Sequence, residues 1–393
     1  MNRGIETHAT VSAVSAVKLT WRRKLAYTMI CILATLMLAE AGVRLRARWR
    51  YGTTSPSAQN AAYMYDETLK LLVPRPGAEL HGSEINVKIN SLGFRGDEFS
   101  KVKPPNTVRI ACLGASTTYC PEVSSNDAAW PAQLQRLLQA RYPKVRIEVI
   151  NAGIQGLKAS HSLKNLRQRV LPLQPDLVIF YEVHNDLVVD TRALAIRQGL
   201  IDDNAGKPTG LNAFFLERSL LFNLVSRNVA ILWNNREVKT GKLTEIPRDL
   251  PDHFVGEFQE MHDLLSARHI PLVLSRYLVR FRRNQPRKTQ LENAEIAFVY
   301  MPWMTLDSLL DGFDLYNDAV ARFARSRKIP FVEDSDSVPG DSVHFVDHMH
   351  FSDAGCKAMA ERFARFFDEE KILEPIVAGV ASNSRFPVGA PVK

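Results

Sequence analysis

The sequence predicts an α/β protein: a three-layer α/β/α domain with a five-stranded parallel sheet, preceded by one N-terminal transmembrane helix. From residue 108 onward, short apolar runs alternate with segments of helical periodicity. This alternation is typical of a parallel sheet covered by helices on both faces. Ahead of it, residues 25–43 form one long apolar stretch. A chain of 393 residues is long enough for one large domain beside such a helix.

Composition and charge exclude several classes of protein. The chain is 46% hydrophobic and 23% charged, as globular proteins are, so a disordered or fibrous chain is excluded. The net charge of +8 is spread along the sequence without zinc-finger spacing or an aromatic RNA-binding motif. We therefore predict no nucleic-acid partner. Basic clusters at 22–24 and 44–50 flank the apolar stretch, and this arrangement suits a membrane surface.

The apolar stretch at 25–43 predicts an anchor in the lipid bilayer. Interrupted only by Glu40, it gives a helix of roughly 28 Å, about the thickness of a bilayer core. A cleaved signal peptide is the alternative, because Ala39-Glu40-Ala41 resembles a cleavage site. The long polar lead-in at 1–24 favours an uncleaved anchor. Because basic residues lie at both ends of the stretch, charge does not decide the orientation of the helix. We expect a single-pass protein of the inner membrane with its main domain in the periplasm or outside the cell.

Changes in composition predict the domain boundaries. Residues 44–107 are interpreted as a linker, Ser/Thr-rich at 51–60, followed by a β-rich prelude. The α/β domain is expected at 108–374, and the Pro/Gly-rich tail at 375–393 is predicted to be disordered. Its five buried strands are predicted from continuous apolar runs at 108–114, 146–151, 176–183, 271–276 and 330–334.

Two insertions interrupt the alternation of strands and helices, at about 187–250 and 277–312. The first is strongly apolar between 211 and 233. It is interpreted either as a helical subdomain packed on the main core, or as a lid or membrane-docking surface over the active site. The second is basic at first and apolar later, and loops of this kind often contact substrate.

A serine follows the first predicted strand directly, in LGASTT (113–118). Ligands of parallel sheets bind at the carboxyl ends of the strands, so Ser116 is well placed for chemistry, and Gly114 allows a sharp turn before it. A turn with a helix cap is the structural alternative. The motif lacks the second glycine of Gly-x-Ser-x-Gly, which argues against an ordinary α/β-hydrolase.

The next two strands end in groups that can donate hydrogen bonds. NAGIQG (151–156) places Gly153 after the second strand, and EVHND (182–186) places Asn185 after the third. A backbone N–H and a side-chain amide both donate to an oxyanion without competing for a proton. Taken separately, each also fits a loop glycine or a strand-end cap.

An acid and a histidine precede the last predicted helix, in DHMHFSDAG (347–355). Asp347, three residues before His350, can accept the Nδ1–H of that histidine and leave Nε2 free as a base. A metal site is the alternative, because His344 and His348 lie in the same segment. No cysteine pair or recognised zinc spacing accompanies these residues.

In this order, the four blocks resemble those that name the SGNH (GDSL-like) hydrolase superfamily, over about residues 106–370. NSLGFRG (90–96) is also similar to the prelude of membrane-anchored bacterial members. The resemblance implies the flavodoxin-like fold of that superfamily, with Ser116 as nucleophile, His350 as general base and Asp347 as its orienting partner. It implies an oxyanion hole made by the following three groups: the N–H of Ser116, the N–H of Gly153 and the side chain of Asn185.

This sequence departs from the family pattern at two positions. Ala115 stands where the first block commonly has aspartate, and Val183 stands where the third block usually has glycine. Neither change removes a reacting group. The resemblance thus implies a serine esterase that needs no metal or organic cofactor and acts on a small-molecule or glycan ester. We favour an acetyl ester on a carbohydrate or another cell-envelope substrate. The alternatives are an O-acyltransferase acting on an envelope glycan and a non-catalytic binding protein on the same fold.

Two of the four cysteines, Cys120 and Cys356, each follow a proposed catalytic residue by a few positions. We interpret them as two thiols. A disulfide between them is the alternative in an oxidising compartment.

Overall fold

In this computed structural model, the described parts of the chain are residues 20–54, 62–202, 210–234 and 241–383. Most of the predicted polar lead-in, residues 55–60 of the predicted linker and residues 384–393 of the predicted tail lie outside the described residues.

One long helix, α1 (Trp21–Tyr51), begins the described chain, and its residues are exposed or half-buried. Within the described residues it is the one helix that is long and apolar enough to cross a membrane, by length and composition. Its last turn is tied to the next part of the chain, because the carbonyls of Trp49 and Arg50 accept the N–H groups of Ser83 and Glu84. The direction of α1 is therefore fixed relative to the domain that follows.

Four short strands form the prelude as two antiparallel pairs, namely β1 (Tyr63–Asp66) with β2 (Leu71–Pro74) and β3 (Glu79–His81) with β4 (Asn86–Lys88). A small hydrophobic core joins these pairs to the site. In it, Tyr63, Val87 and Ile89 pack with Tyr119 and Ile154. The prelude thus supports the segments that follow the first two strands of the main sheet.

Five parallel strands form the main sheet, namely β5 (Thr107–Gly114), β6 (Arg146–Gly153), β7 (Leu177–Tyr181), β8 (Leu272–Ser275) and β9 (Phe331–Val332). Their order across the sheet is β6-β5-β7-β8-β9, and neighbouring strands are parallel. Each overlaps one predicted apolar run, so the predicted fold class is confirmed, although β7, β8 and β9 are shorter than the runs that predicted them. β5 and β7 are buried along their whole length, as strands covered on both faces are. The register sets Gly114 beside Gly153 and Tyr181 at the carboxyl edge.

Helices cover the sheet and extend beyond it. Those of the described residues after α1 are α2 (Ser116–Tyr119), α3 (Trp130–Arg141), α4 (Ala159–Asn165), α5 (His184–Arg197), α6 (Gly210–Arg218), α7 (Leu220–Asn234), α8 (Asp252–Ser266), α9 (Arg287–Ala294), α10 (Ala297–Tyr300), α11 (Leu306–Arg327), α12 (Asp353–Glu369) and α13 (Glu374–Asn383). The main core lies between the sheet and its helices. Phe180 of β7, for example, packs edge-on against Phe258 of α8, with ring centroids 5.0 Å apart.

The structure differs from the sequence prediction at the tail. Disorder was predicted from residue 375, but Glu374–Asn383 form α13 instead. Ile376, Val377 and Val380 of this helix pack on the main core. Their spacing gives one apolar helical face. The Pro/Gly-rich composition of the whole tail concealed that face.

The first predicted insertion also begins differently. The sequence predicts its start at residue 187, but α5 continues through this point and buries Leu187 and Leu194 in the main core. The extra structure lies further along the chain, where α6 and α7 follow each other and α7 packs against both α1 and α10.

Candidate active site

Ser116 is held on a tight turn at the carboxyl end of β5. Gly114, two residues before it, has φ +152°, a value that favours glycine. A Cβ at this position would lie 2.2 Å from the carbonyl oxygen of Tyr181 and 2.4 Å from Oγ1 of Thr118. Glycine therefore allows β5, β7 and the start of α2 to come together. Ser116 opens α2 and is only 9% exposed.

The structure brings Ser116, His350 and Asp347 into one hydrogen-bonded line. Nε2 of His350 lies 2.8 Å from Oγ of Ser116, and Nδ1 of His350 lies 2.7 Å from Oδ2 of Asp347. The segment that carries the acid and the histidine leads directly into α12, which Ser352 caps by accepting the N–H of Gly355 at 3.1 Å. A serine, an imidazole and a carboxylate in this order can pass the serine proton to the imidazole.

Electrostatics favour the charged form of this histidine. Burial alone would lower the pKa of His350, but the hydrogen bond to Asp347 and the negative charges of Asp347 and Glu122 outweigh burial and raise the pKa. For Asp347, burial favours the neutral acid, yet the hydrogen bond to His350 and the nearby imidazoles hold the pKa of this carboxyl well below its usual range. The carboxylate therefore stays ionised beside an imidazole that accepts a proton readily.

Gly153 and Asn185, the two residues predicted to donate to an oxyanion, also lie at this edge of the sheet. The N–H of Gly153 donates to Oδ1 of Asn151 at 3.1 Å, and the side-chain amide of Asn185 donates to the carbonyl of Leu157 at 2.8 Å. An amide has two N–H donors, so Asn185 retains a second one. A Cβ on Gly153 would lie 2.4 Å from the backbone nitrogen of Tyr119, which explains why glycine fits there.

Residues 112–358 match the model of the GDSL-like lipase/acylhydrolase family. This match spans more than half of the chain. The chain belongs to the GDSL-like lipase/acylhydrolase family. It is thus a hydrolase that acts on ester bonds, as the resemblance implied. A comparison with curated proteins gives no match.

Comparison with solved structures gives distant likenesses. An acetylxylan esterase from Geobacillus stearothermophilus is 15% identical, with a TM-score of 0.40 over 68% of this chain and 96% of that one. The lipase/acylhydrolase from Enterococcus faecalis is 15% identical, with a TM-score of 0.39 over 67% and 96%. A GDSL-like lipase from Bacteroides thetaiotaomicron is 14% identical, with a TM-score of 0.35 over 67% and 88%.

The structure adds Glu182 to the residues of the site. This residue lies in EVHND, but the sequence pattern indicates no role for it. Its side chain is buried, and Oε1 accepts the backbone N–H of Asn185 at 2.8 Å. It also accepts hydrogen bonds from the backbones of Val183 and Ala115. Burial raises the pKa of Glu182 well above its usual range, against the effect of these donors. One buried carboxyl thus joins the residue before Ser116 to the residue proposed for the oxyanion hole.

Arg95 of the GDSL-like hydrolase is a second residue whose role was not predicted, although NSLGFRG contains it. Its buried guanidinium donates to the carbonyls of Tyr119 at 3.0 Å and Ser125 at 3.1 Å, and to that of Cys120. It therefore braces the backbone that follows Ser116. A short Gly-Phe-Arg segment in a loop gives no signal of so distant a contact.

The histidines that suggested a metal site do not come together at one point in the structure. His344 pairs with Asp341 at 2.8 Å, and His348 turns away to His184, with the two Nε2 atoms 3.0 Å apart. Among the described residues, no group of three or more His, Cys, Asp or Glu side chains has the arrangement of a metal site. Only His350 of these histidines contacts Ser116.

Cys120 and Cys356 are buried against each other beside the site. Their sulfur atoms lie 3.5 Å apart, which is longer than a disulfide bond of about 2.05 Å. Both are free thiols in this structure. They join the end of α2 to the first turns of α12, the two helices that follow Ser116 and His350.

Proposed function

We propose that this family member is a membrane-anchored serine esterase that removes a small acyl group, an acetyl group in our proposal, from a carbohydrate or another cell-envelope molecule. The observation that supports it is the position of His350. Its Nε2 lies 2.8 Å from Oγ of Ser116, while its Nδ1 is held 2.7 Å from Asp347.

The proposed reaction has two steps. His350 takes the proton of Ser116 as Oγ attacks the ester carbonyl, and then gives that proton to the departing alcohol, which leaves an acyl-enzyme on Ser116. Water attacks this intermediate with His350 again as the base, and the carboxylic acid is released. Asp347 remains ionised throughout and stabilises the imidazolium.

The negative charge on the carbonyl oxygen needs donors in both steps. The second N–H of Asn185 and the backbone N–H of Ser116 are proposed for this role. Gly153 is proposed as a third donor, and its N–H must then be shared with Oδ1 of Asn151, to which it now donates. One such donor typically contributes about 3 to 4 kcal/mol to the stability of the transition state.

Labelling with a serine-reactive phosphonate tests the proposal. The full chain in detergent should be modified at Ser116, and His350→Ala should nearly abolish this labelling, because an unassisted hydroxyl is a poor nucleophile near neutral pH. His253→Ala, which changes an exposed histidine of α8, is the matched control and should label normally. Labelling spread over several serines and unaffected by His350→Ala would contradict catalysis by Ser116. Activity lost to a chelator, with Ser116 unmodified, would favour a metalloenzyme.

The same preparation tests the acceptor. With an acetyl ester as donor and an envelope glycan present, we expect free acetate as the main product. If acetyl groups were transferred to the glycan faster than free acetate is released, the enzyme would instead be an acyltransferase. A series of nitrophenyl esters of increasing acyl length should show the highest kcat/KM for acetate. A clear preference for long chains would overturn the proposed acetyl group.

The proposed location is the inner membrane, with α1 crossing it once and the hydrolase domain in the periplasm or outside the cell. Fusing alkaline phosphatase, which is active only outside the cytoplasm, to the C-terminus should give an active reporter. If a reporter that works only in the cytoplasm were active in its place, the hydrolase domain would lie in the cytoplasm and the proposed orientation would be wrong. The size of the mature protein on a gel tests the signal-peptide alternative, since cleavage near Ala41 would remove about 4.5 kDa, at roughly 110 Da per residue.

A further inference from the structure

We propose that α6 and α7 form a membrane-docking surface, an apolar face that rests in the bilayer beside α1 and holds the active site at the lipid headgroups. The inference builds on the proposed anchoring by α1, and its occupant is the phospholipid bilayer. It is carried by three features: the exposed side chains of α6 and α7, their hydrogen bonds to α1, and the contact of α7 with the surroundings of the site.

The exposed face is the first feature. In α6, Leu211, Phe214 and Phe215 follow the spacing i, i+3, i+4 and therefore lie on one side of the helix. Leu224, Val225 and Val229 of α7 are exposed as well. Each of these six side chains is between 44% and 76% exposed. Because α6 and α7 pack on each other, with the rings of Phe215 and Phe222 5.6 Å apart, these side chains form one exposed apolar face, and such a face marks a binding surface.

Glu40 joins this face to α1. Its carboxylate accepts the N–H groups of Leu220 at 3.0 Å and Leu221 at 2.9 Å, and the hydroxyl of Ser219 at 2.7 Å. It thus caps the N-terminus of α7, where a negative charge is favoured. This explains the carboxylate that interrupts the apolar stretch: it is used for the junction between the two helices, and Arg44 also pairs with it at 2.7 Å.

The position of Glu40 sets the level of α7 relative to the bilayer. It lies three residues before the end of the apolar stretch at 25–43, which is about 5 Å along the helix. Trp21 and Trp49 are both exposed and stand about 42 Å apart along α1, which matches a bilayer with its headgroups. Tryptophan prefers this interface. The start of α7 therefore lies at the edge of the hydrocarbon, on the side of the hydrolase domain.

The third feature links α7 to the site. α7 packs against α10, and Tyr300 at the end of α10 stacks edge-on against His184, with ring centroids 5.8 Å apart. Arg227 of α7 is close enough to act electrostatically on both Tyr300 and Glu122, and Glu122 acts in turn on His350. One helix thus contacts the anchor and the rim of the site, so that esters at the membrane surface are the substrates nearest to Ser116.

Fluorescence quenching in vesicles tests the docking. The full chain, in a Cys31→Ser background, receives an environment-sensitive fluorophore at Val225→Cys and is reconstituted in phosphatidylethanolamine and phosphatidylglycerol. Val102→Cys is the matched control, because Val102 is a valine that is 77% exposed just before β5, at the opposite edge of the sheet. Cys112, Cys120 and Cys356 are buried and should remain unlabelled in the folded protein.

The fluorophore at position 225 should be quenched several-fold more than that at 102 by lipids with a nitroxide near the headgroup, and several-fold less by iodide in the water. Equal quenching of both positions by iodide would overturn the proposal, since the face would then lie in water. Protection of position 225 from both quenchers would also overturn it, because a second copy of the chain or a closed lid would then cover the face.

Failure of the docking is distinguishable from failure of the proposed function. In the wild-type chain, a fluorophore on Cys31 itself reports whether α1 lies in the lipid. Phosphonate labelling of Ser116 in the same vesicles reports the esterase chemistry. Quenching at Cys31 with none at position 225 would leave the anchor intact and reject the docking surface, whereas quenching at 225 without labelling of Ser116 would reject only the esterase.

Discussion

Asp347 holds His350 by both its side chain and its backbone. One carboxylate oxygen faces Nδ1 of the imidazole, while the other, Oδ1, accepts the backbone N–H of His350 at 2.8 Å and that of Met349 at 2.9 Å. A spacing of three residues allows both contacts at once, since it folds the chain back on the acid. The ring is therefore fixed with Nε2 toward Ser116 before any substrate binds.

This relationship predicts the pH dependence of hydrolysis. His350 works as a base only when neutral, so kcat/KM falls as the pH drops through its pKa, which is raised above the ordinary value of about 6.5. The acid limb of a plot of kcat/KM against pH should therefore lie above 6.5. A limb clearly below that value would contradict the balance of charges described for the site.

Glu122→Gln tests one source of the raised pKa without touching the reacting atoms. The negative charge of Glu122 favours protonated His350, so its removal should move the acid limb to lower pH and leave the high-pH plateau nearly unchanged. Glu67→Gln, which removes the same charge from an exposed side chain of the prelude, is the control. Equal profiles for wild type and Glu122→Gln would mean that Asp347 alone sets this pKa.

Asn185→Ala should lower kcat by about 10² to 10³ with little change in KM, because an oxyanion donor acts mainly in the transition state. The variant also loses the hydrogen bond to the carbonyl of Leu157, so its thermal unfolding must be measured as well. Asn185→Asp keeps the shape but lacks both N–H donors, and it should be at least as slow. A lower Tm with unchanged kcat would show that Asn185 only ties down the loop after β6.

The strands, in their order along the chain, and the site residues at their ends could be predicted from the sequence, because both depend on local patterns. Apolar runs identify buried strands, and residues that directly follow parallel strands must lie at one edge of the sheet. Ser116 and Asn185 follow β5 and β7, and Gly153 ends β6, so their neighbourhood could be expected without coordinates. The Asp347 to His350 contact spans three residues and was likewise predictable.

Contacts between distant segments could not be predicted in this way. Arg95 reaches the turn after Ser116 from the prelude, and Glu40 caps a helix that begins 180 residues later. Neither the partner nor the geometry of such contacts is encoded in a local pattern. The burial of Glu182 was equally hidden, since this residue lies just after β7 and its acceptor role depends in part on the N–H of Ala115, a distant residue in the chain.

Glu182 is expected to act as a positioning residue. Because burial raises its pKa, we expect glutamine, which keeps an accepting oxygen without a charge, to replace it with a much smaller loss of kcat than alanine. Glu182→Ala should lower both kcat and the rate of phosphonate labelling at Ser116, because Ala115 and Asn185 lose their common acceptor. If glutamine were as damaging as alanine in both assays, a charged carboxylate would be needed instead.

Asp186 predicts a pH-dependent gain in stability on replacement by asparagine. Burial, helped by the charge of Asp190 and opposed by the hydrogen bond from the N–H of Ala159, raises the pKa of Asp186 to about 7. In the unfolded chain this carboxyl ionises near its ordinary value of about 3.9. At neutral pH the folded protein must therefore either bind a proton at Asp186 or bury its charge, and both lower the free energy of unfolding. This loss of stability grows between pH 4 and pH 7 and is constant above pH 7.

Asp186→Asn removes that cost and keeps an oxygen that can accept the N–H of Ala159, now at 2.9 Å. The difference in Tm between the variant and the wild type should thus be smallest at pH 4, rise toward pH 7 and then level off. Asp127→Asn removes the same charge from a side chain that is 79% exposed and serves as the control. A Tm difference for Asp186→Asn that is flat from pH 4 to pH 8, or that shrinks with rising pH, would mean that this carboxyl is ionised in the folded protein and that the helix start of α5 stabilises the charge after all.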